Sequence, residues 1–189
     1  MNNKIAVIFH SGYGHTARQA QAVAEGAGSG AFLVEIDQDG EISNEARLKI
    51  EEADGIILGT PTYMGGPSWQ FKKFADSTSK EWIGQKWKDK VFGGFTNSAS
   101  INGDKQITLT YLFAFAMQHA GIWVGLGLLP SNSKSAVRED VNYLGSFSGA
   151  MMQTPSDASV EEVSEADMHT ARIYGRRIND VVSKFKAHW

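Results

Sequence analysis

The stretch "IFHSGYGHTARQA", beginning at residue 8, breaks an apolar run with two glycines, a serine, a threonine and two histidines. It then resumes as an alanine-rich helix, so Ser11, Gly12, Tyr13, Gly14, His15 and Thr16 stand between a strand and a helix. Glycine lets backbone N–H groups turn inward, and a helix start carries partial positive charge. The hydroxyls of Ser11 and Thr16 are suited to donate to phosphate oxygens. No lysine completes the triphosphate pattern GxxxxGK[ST], and GxGxxG is absent, although Glu35 and Asp37 leave a weak dinucleotide reading open. A monophosphate held by neutral donors fits this loop best. Taken alone, the loop reads equally well as a serine–glycine turn that caps a helix.

Two further loops share its character. "GTPTYMGGPS", from Gly59 to Ser68, offers the Thr60 and Thr62 hydroxyls, a turn stiffened by Pro61, and flat or polarizable surface at Tyr63 and Met64. Gly65 and Gly66 allow close backbone approach. "TNSASING", from Thr96 to Gly103, is again small and polar. Neither loop holds an acid, the nearest being Asp76 and Asp104. One phosphate-ready loop beside two neutral ones suits a planar, hydrogen-bonding ring with a phosphate tail, which describes flavin mononucleotide (FMN).

Such loops need strands that end where they begin. "KIAVIF", "AFLVEI", "GIILGT", "KVFGGF" and "IWVGLGLL" are apolar runs of strand length, and the first, third and fourth lead into the three loops. Helices are predicted between them. Ala17, Ala20, Val23, Ala24 and Ala27 fall at helical spacing, "SNEARLKIEEA" carries a serine cap, and Trp69 to Ser77 and "DKQITLTYLFAFAMQHA" follow. The last helix opens with a capping box at Ser159 and Glu162 and aligns Ala171, Tyr174, Ile178, Val182 and Phe185 on one face. Five strands alternating with five helices, without repeat or linker, predict a single α/β domain over residues 1–189 with a doubly wound parallel sheet. Ligands of such sheets sit beyond the carboxyl ends of the strands, where these loops fall. Residues 130–158 loosen into Ser, Asn, Gly and Pro, and read either as a lid or as part of an interface.

Composition narrows the classes. Apolar residues make up 42% and charged residues 21% of the chain, enough for a real core. A formal charge of -3 gives no electrostatic footprint for nucleic acid. The absence of cysteine excludes disulfides, thiolate catalysis and cysteine metal sites. His169 and the carboxylates before it lack metal-ligand spacing. No segment approaches the roughly 18 apolar residues of a membrane helix, and "MNNKIAVIFH" is too short for a signal peptide, so a cytoplasmic protein is expected.

Taken in order, "SGYGHT", "GTPTYMGG", "TNSASINGDKQ", "MQHAG" and "LGSFSGA" resemble the WrbA-type NAD(P)H:quinone oxidoreductases and their NADPH-dependent flavin-reductase relatives in the flavodoxin superfamily. The resemblance runs across nearly the whole chain, and Ser11, Gly14 and Thr16 match the S/T-x-x-G-x-T phosphate loop. It implies a flavodoxin-like five-stranded sheet with helices on both faces, FMN as cofactor and NAD(P)H as reductant. It also implies a homodimer or homotetramer that passes two electrons to a quinone or similar small acceptor, with no nucleic acid or membrane as partner. By the same resemblance, Ser11, Gly12, Tyr13, Gly14, His15 and Thr16 cradle the flavin phosphate. Pro61, Thr62, Tyr63, Met64 and Gly65 lie along the isoalloxazine, and Thr96, Asn97 and Ser98 close its other side. His119 becomes the catalytic residue near the pyrimidine edge, and Trp82 matches an aromatic presented to a neighbouring subunit. The chain departs from the pattern at Ala120, where the family has glycine, at "GSFSG" from Gly145 to Gly149, and in a shortened segment after the second strand.

Rival readings remain. A flavodoxin-like one-electron carrier without its own substrate is the alternative, and a flavin-binding regulator is a third. Carriers surround their flavin with carboxylates, whereas Thr60–Ala75 and Thr96–Gly103 have none, which favours two-electron chemistry. A receiver domain would need an acidic pair after the first strand, and a low-molecular-weight tyrosine phosphatase a cysteine; both are absent. His10 reads as structural, Trp69 and Phe74 as core, and the lysines from Lys72 to Lys90 as a solvated face. Trp82 reads as an interface residue or a local surface anchor.

Overall fold

Every residue of β1 (Ile5–His10) is buried, as expected of a central parallel strand covered on both faces. A computed structural model describes residues 2–188. In it β1 pairs in parallel with β2 (Ala31–Ile36) on one side and β3 (Gly55–Tyr63) on the other. β3 pairs with β5 (Val91–Ser98), and the far edge is shared by β6 (Ile122–Trp123) and β7 (Ala150–Gln153). A two-residue strand, β4 (Gly66–Pro67), folds back antiparallel on the end of β3. The order β2-β1-β3-β5-β6 is the doubly wound, flavodoxin-like order.

Side-chain alternation along β1 divides the core in two. Ile5, Val7 and Phe9 face α1 (His15–Ala27) and α6 (Glu165–His188), whereas Ala6 and Ile8 face α2 (Asn44–Glu51), α3 (Trp69–Ser77) and α5 (Lys105–Gln118). A short α4 (Ser79–Ile83) follows α3. α1 and α6 meet backbone to backbone. A Cβ on Gly26 would lie 1.8 Å from the Arg172 carbonyl oxygen, and one on Gly175 1.9 Å from that of Val23. Among the described residues no helix is long and apolar enough to cross a membrane.

Several elements differ from the sequence reading. β3 and β5 run on through Tyr63 and Ser98, so Pro61–Tyr63 and Thr96–Ser98 are strand rather than loop. Threonine suits a strand, and in-register pairing of Thr60 with Thr96 and Pro61 with Asn97 carries the sheet further. α4 has no counterpart in that reading. The capping box at Ser159 and Glu162 forms, but on a 3-10 turn, Val160–Glu162, and α6 begins at Glu165. Trp69 is 61% exposed rather than core, whereas Phe74 is fully buried. Most of the lysines from Lys72 to Lys90 are solvated as expected. Lys90 is instead half-buried, donating to the carbonyls of Glu51 and Ala53.

The predicted fifth strand "IWVGLGLL" is the largest departure. Only Ile122 and Trp123 pair, with Val91 and Phe92. The chain then leaves the sheet through Gly125 and Gly127, the latter at φ +72, and returns as β7 against Phe95–Ser98. Tyr174 of α6 spans the gap. Its buried hydroxyl accepts from the Gly94 N–H at 3.0 Å and donates to the Val124 carbonyl at 2.7 Å, as ladder bonds would. The excursion between the two half-strands is pinned by polar contacts. Arg138 makes two bonds to the buried carboxylate of Asp167, and the Asn142 amide bonds Leu128 and Ser146.

His119, expected as the catalytic residue, lies apart from the cavity of its own chain. It ends α5 at the opposite end from the loop that follows β5, with roughly 20 Å of helix between. Its ring lies 4.3 Å from that of Trp87 and 4.9 Å from that of Phe115, and only 4% of the residue is exposed. Thr78 Oγ1 spends its one proton on the Ala75 carbonyl, so His119 Nε2 is the donor in their 3.0 Å contact and Nδ1 is left as a bare acceptor. Burial, opposed weakly by Glu81, pushes the imidazole down to about 4. It is a neutral core histidine at physiological pH.

Two predictions follow from this packing. Tyr174→Phe leaves Gly94 N–H and Val124 C=O facing each other unbridged in the core, at a cost of about 1–3 kcal/mol by urea unfolding. The unfolded chain binds a proton at His119 near pH 6.5 and the folded chain only near 4, so stability is complete above that window and declines as pH falls through it. Wild type should lose about 3 kcal/mol more than His119→Gln between those limits, measured by unfolding at each pH.

Candidate functional site

The carboxyl ends of β1, β3 and β5 open into a cavity of about 830 Å³, within the range of small-molecule sites. Four segments wall it: the start of α1, the β3–β4 hairpin, the loop after β5, and residues 154–161 after β7.

The first wall comes from the opening loop. Tyr13, His15 and Thr16 line the cavity, while Ser11, Gly12 and Gly14 lie behind them as its frame. Ser11 Oγ accepts from the N–H groups of Gly14 and Ala17, both at 3.1 Å, and bends the loop into the helix. Gly14, the N-cap, sits at φ +90, and a Cβ there would lie 2.7 Å from a Val160 methyl. It supplies no side-chain cap itself; Ser11 Oγ takes the Ala17 N–H, and with no acid in the first turn the positive end of α1 faces no negative charge of that turn. The Thr16 hydroxyl has no hydrogen-bond partner among the described residues. His15 Nε2 donates to the Ala158 carbonyl at 3.0 Å, tying this wall to the fourth.

The second and third walls are laced by neutral hydroxyls. Pro61, Thr62 and Tyr63 line the cavity from β3, and Asn97, Ser98 and Ala99 from β5. Thr62 donates to Thr108 at 2.7 Å and therefore accepts from Thr96 at 2.8 Å. Thr96 is fully buried and acts from beneath the floor rather than as lining. Thr60 Oγ1 accepts from the Ser68 N–H, closing the base of the hairpin. Met64 and Gly65 form its two-residue turn, both with positive φ. They stand at the solvent tip and outside the lining, and Met64 is fully exposed. Tyr63 meets Tyr13 edge to face, with centroids 6.2 Å apart. Burial raises the Tyr63 hydroxyl above its ordinary range, so it remains a neutral phenol.

The fourth wall begins within the segment 130–158 that the sequence reads as lid or interface, and runs on to Glu161. Thr154, Pro155, Ser156, Ala158, Ser159, Val160 and Glu161 all face the cavity. Thr154 joins it to the third wall, its N–H bonding the Ser98 carbonyl at 3.2 Å and its hydroxyl the Asn97 side chain at 3.3 Å. The capping box at Ser159 marks the turn that completes this wall. Residues 130–149, read together with this segment as lid or interface, belong instead to the excursion anchored on α6. His119 and Trp82 lie apart from the cavity, lining a separate groove between α3, α4 and α5. Among the lining residues Glu161 is the single acid, and there is no lysine or arginine.

Residues 4–127 match the family model of the NADPH-dependent FMN reductases. Flavodoxin FldP from Pseudomonas aeruginosa (strain UCBPP-PA14) is 52% identical over 176 residues, covering 93% of this chain and 95% of its own. An NAD(P)H dehydrogenase (quinone) from Methylocella silvestris is 30% identical over 200 residues, with 97% and 98% covered. The crystal structure of a flavodoxin, WrbA-like protein from Agrobacterium tumefaciens shares 49% identity at a TM-score of 0.79, with 96% and 98% covered. A flavodoxin from the domain Archaea, 14% identical at a TM-score of 0.64, shows the same fold. The strand order, the cavity at its carboxyl edge and these matches agree: the chain belongs to the NADPH-dependent FMN reductase family, on a WrbA-like, flavodoxin-type fold.

Proposed function

We propose that this protein is an FMN-dependent oxidoreductase that passes electrons from NAD(P)H to a quinone or similar small acceptor by two-electron hydride transfer. The observation that carries this reading is the near-neutral cavity at the strand ends, with Glu161 the one acid in its lining. Carboxylates around a flavin oppose the negative charge of its two-electron reduced form, and this site keeps them away.

The residues present fit FMN. The start of α1, whose first turn carries no acid, and the free Thr16 hydroxyl are suited to meet a phosphate. Thr62, Asn97 and Ser98 present polar edges to a ring, and Pro61 with Tyr63 presents flat apolar surface. When bound, FMN supplies the hydride acceptor and donor, while the chain binds, orients and shelters it. In this reading Gly12 and Gly14 allow the close approach, and Thr96 fixes Thr62 from below. Met64 and Gly65 form a rim at the mouth, where nicotinamide and acceptor enter in turn.

The carrier reading is supported by the name flavodoxin, carried by the 52% identical FldP and by the 49% identical WrbA-like protein. We place the protein in the cytoplasm, which suits a cysteine-free chain, and as a homodimer or homotetramer. Exposed Trp69, Trp82 and Ile83 support the assembly, and sedimentation tests it.

The central experiment is anaerobic. Protein loaded with FMN is mixed with NADPH or NADH in a stopped-flow instrument, and benzoquinone is added afterwards. Loss of flavin absorbance on mixing, restored by the quinone, is expected. Bound FMN that neither nicotinamide reduces refutes the reading, and chemical reduction in two separate one-electron steps favours the carrier. Gly14→Val should weaken FMN binding at least about tenfold while circular dichroism stays native, because it forces a β-branched residue to φ +90 against Val160.

A further inference from the structure

Lys105 opens α5 directly after the loop that borders the cavity, and none of its surface is exposed. An ammonium is unfavourable there for two reasons. Burial strips its water, and the first turn of a helix repels cations. Three neutral oxygens hold it. Nζ donates to Ser98 Oγ at 2.8 Å, to the Ser100 carbonyl at 2.6 Å and to the Ile101 carbonyl at 2.8 Å. All three protons are spent on one turn of chain, and none meets a carboxylate. The acid that acts on it from a distance, Asp167, is already locked to Arg138 by bonds of 2.8 and 2.5 Å, so their opposite charges largely cancel. Burial lowers Lys105 to about 8, which leaves it protonated at neutral pH.

A brace for the loop needs hydrogen-bond donors but no net charge. The charge has another use in view of what lies on the other side of that turn. Ser98 and Ala99 line the cavity, so a single side chain stands between the ammonium and the space assigned to the ring. Hydride transfer from NAD(P)H delivers two electrons and one proton and leaves NAD(P)⁺. The reduced ring then carries one more negative charge than the oxidised ring.

We infer that Lys105 is a positioning and charge-tuning residue of the flavin site, whose buried ammonium braces Ser98–Ile101 from behind and favours the reduced flavin over the oxidised one. The inference rests on the flavin reading of the cavity and adds to it a source of positive charge that the lining itself lacks.

Lys105→Met and Lys105→Gln test it, each compared with wild type for affinity toward oxidised FMN by fluorescence and for the two-electron midpoint potential. The ratio of reduced to oxidised affinity should fall at least about tenfold, a drop of about 30 mV for a two-electron couple. An equal loss in both states overturns the inference, since a brace alone would weaken both alike. Should neither variant fold, wild type labelled with ¹³C at lysine Cε decides the matter. Linkage is reciprocal, so flavin reduction must raise the Lys105 titration midpoint by the same tenfold, about one pH unit. An unmoved midpoint overturns the proposal. Failure of wild type to bind FMN sinks the flavin reading and this inference together, whereas binding with an unchanged ratio sinks the role of Lys105 alone.

Discussion

The hydroxyl of Tyr174 bridges the sheet where its edge strand is broken, and the cavity depends on that bridge. A β-ladder interrupted between β6 and β7 leaves Gly94 N–H and Val124 C=O facing a gap in the core, where unpaired backbone is costly. The phenol supplies both missing bonds from the opposite layer. With the gap closed, the chain is free to leave after Trp123 and return at Ala150, in register with Phe95–Ser98. That return holds the end of β5 at full height and delivers Thr154 to Ser98 and Asn97. Arg138 secures the same corner by joining the excursion to Asp167, which also accepts from the Gln153 N–H. Two walls of the site are thus consequences of how an edge strand is interrupted.

Inside that frame the site is built from dipoles. Ser11 shapes the first loop, Thr60 closes the hairpin, and the Thr62–Thr96–Thr108 chain fixes the floor. Hydroxyls already oriented by one another need little reorganisation when a ligand arrives, and in a low-dielectric setting their dipoles count for more than in water. Lys105 is the exception to this neutrality, and it is kept one layer back. A cation in the lining would attract anions of every kind, whereas one behind the wall acts mainly on charge that appears inside the cavity.

Much of this was legible in the sequence, for identifiable reasons. "KIAVIF" and "GIILGT" are strands buried on both faces, and their apolar continuity announces them. The small-residue loops at their ends did converge, because a doubly wound sheet directs all its carboxyl ends to one edge. "IWVGLGLL" misled because its apolarity outlasts its pairing: Gly125 and Gly127 turn it out of the sheet, and the strand that completes the edge is "AMMQ", four residues that no pattern singles out. The wall at 154–161 is irregular backbone, placed by contacts to distant residues such as His15 rather than by local preference. His119 was assigned by motif. Its motif is present, but a 14-residue helix carries it to the other end of the layer, where Trp87 and Phe115 enclose it. Lys105 did leave a signal, since a lysine at the first position of a helix breaks the local charge rule, and such violations gather at functional sites.

The relatives carry names from two functional classes, flavodoxin and NAD(P)H dehydrogenase (quinone), on one architecture. Fold therefore cannot separate carrier from enzyme, and the distinction has to reside in side chains around the ring. A carrier exchanges electrons through an exposed edge and gains from negative charge that holds the fully reduced state at low potential. A reductase must admit a nicotinamide and then an acceptor to the same face, and must tolerate the charge that hydride leaves behind. Among the residues lining the cavity Glu161 is the one acid, while behind the wall the Lys105 ammonium stands without a carboxylate partner, Asp167 being paired with Arg138. A lining with a single acid suits the proposed reductase better than a carrier, and the proposal rests on that lining rather than on the fold.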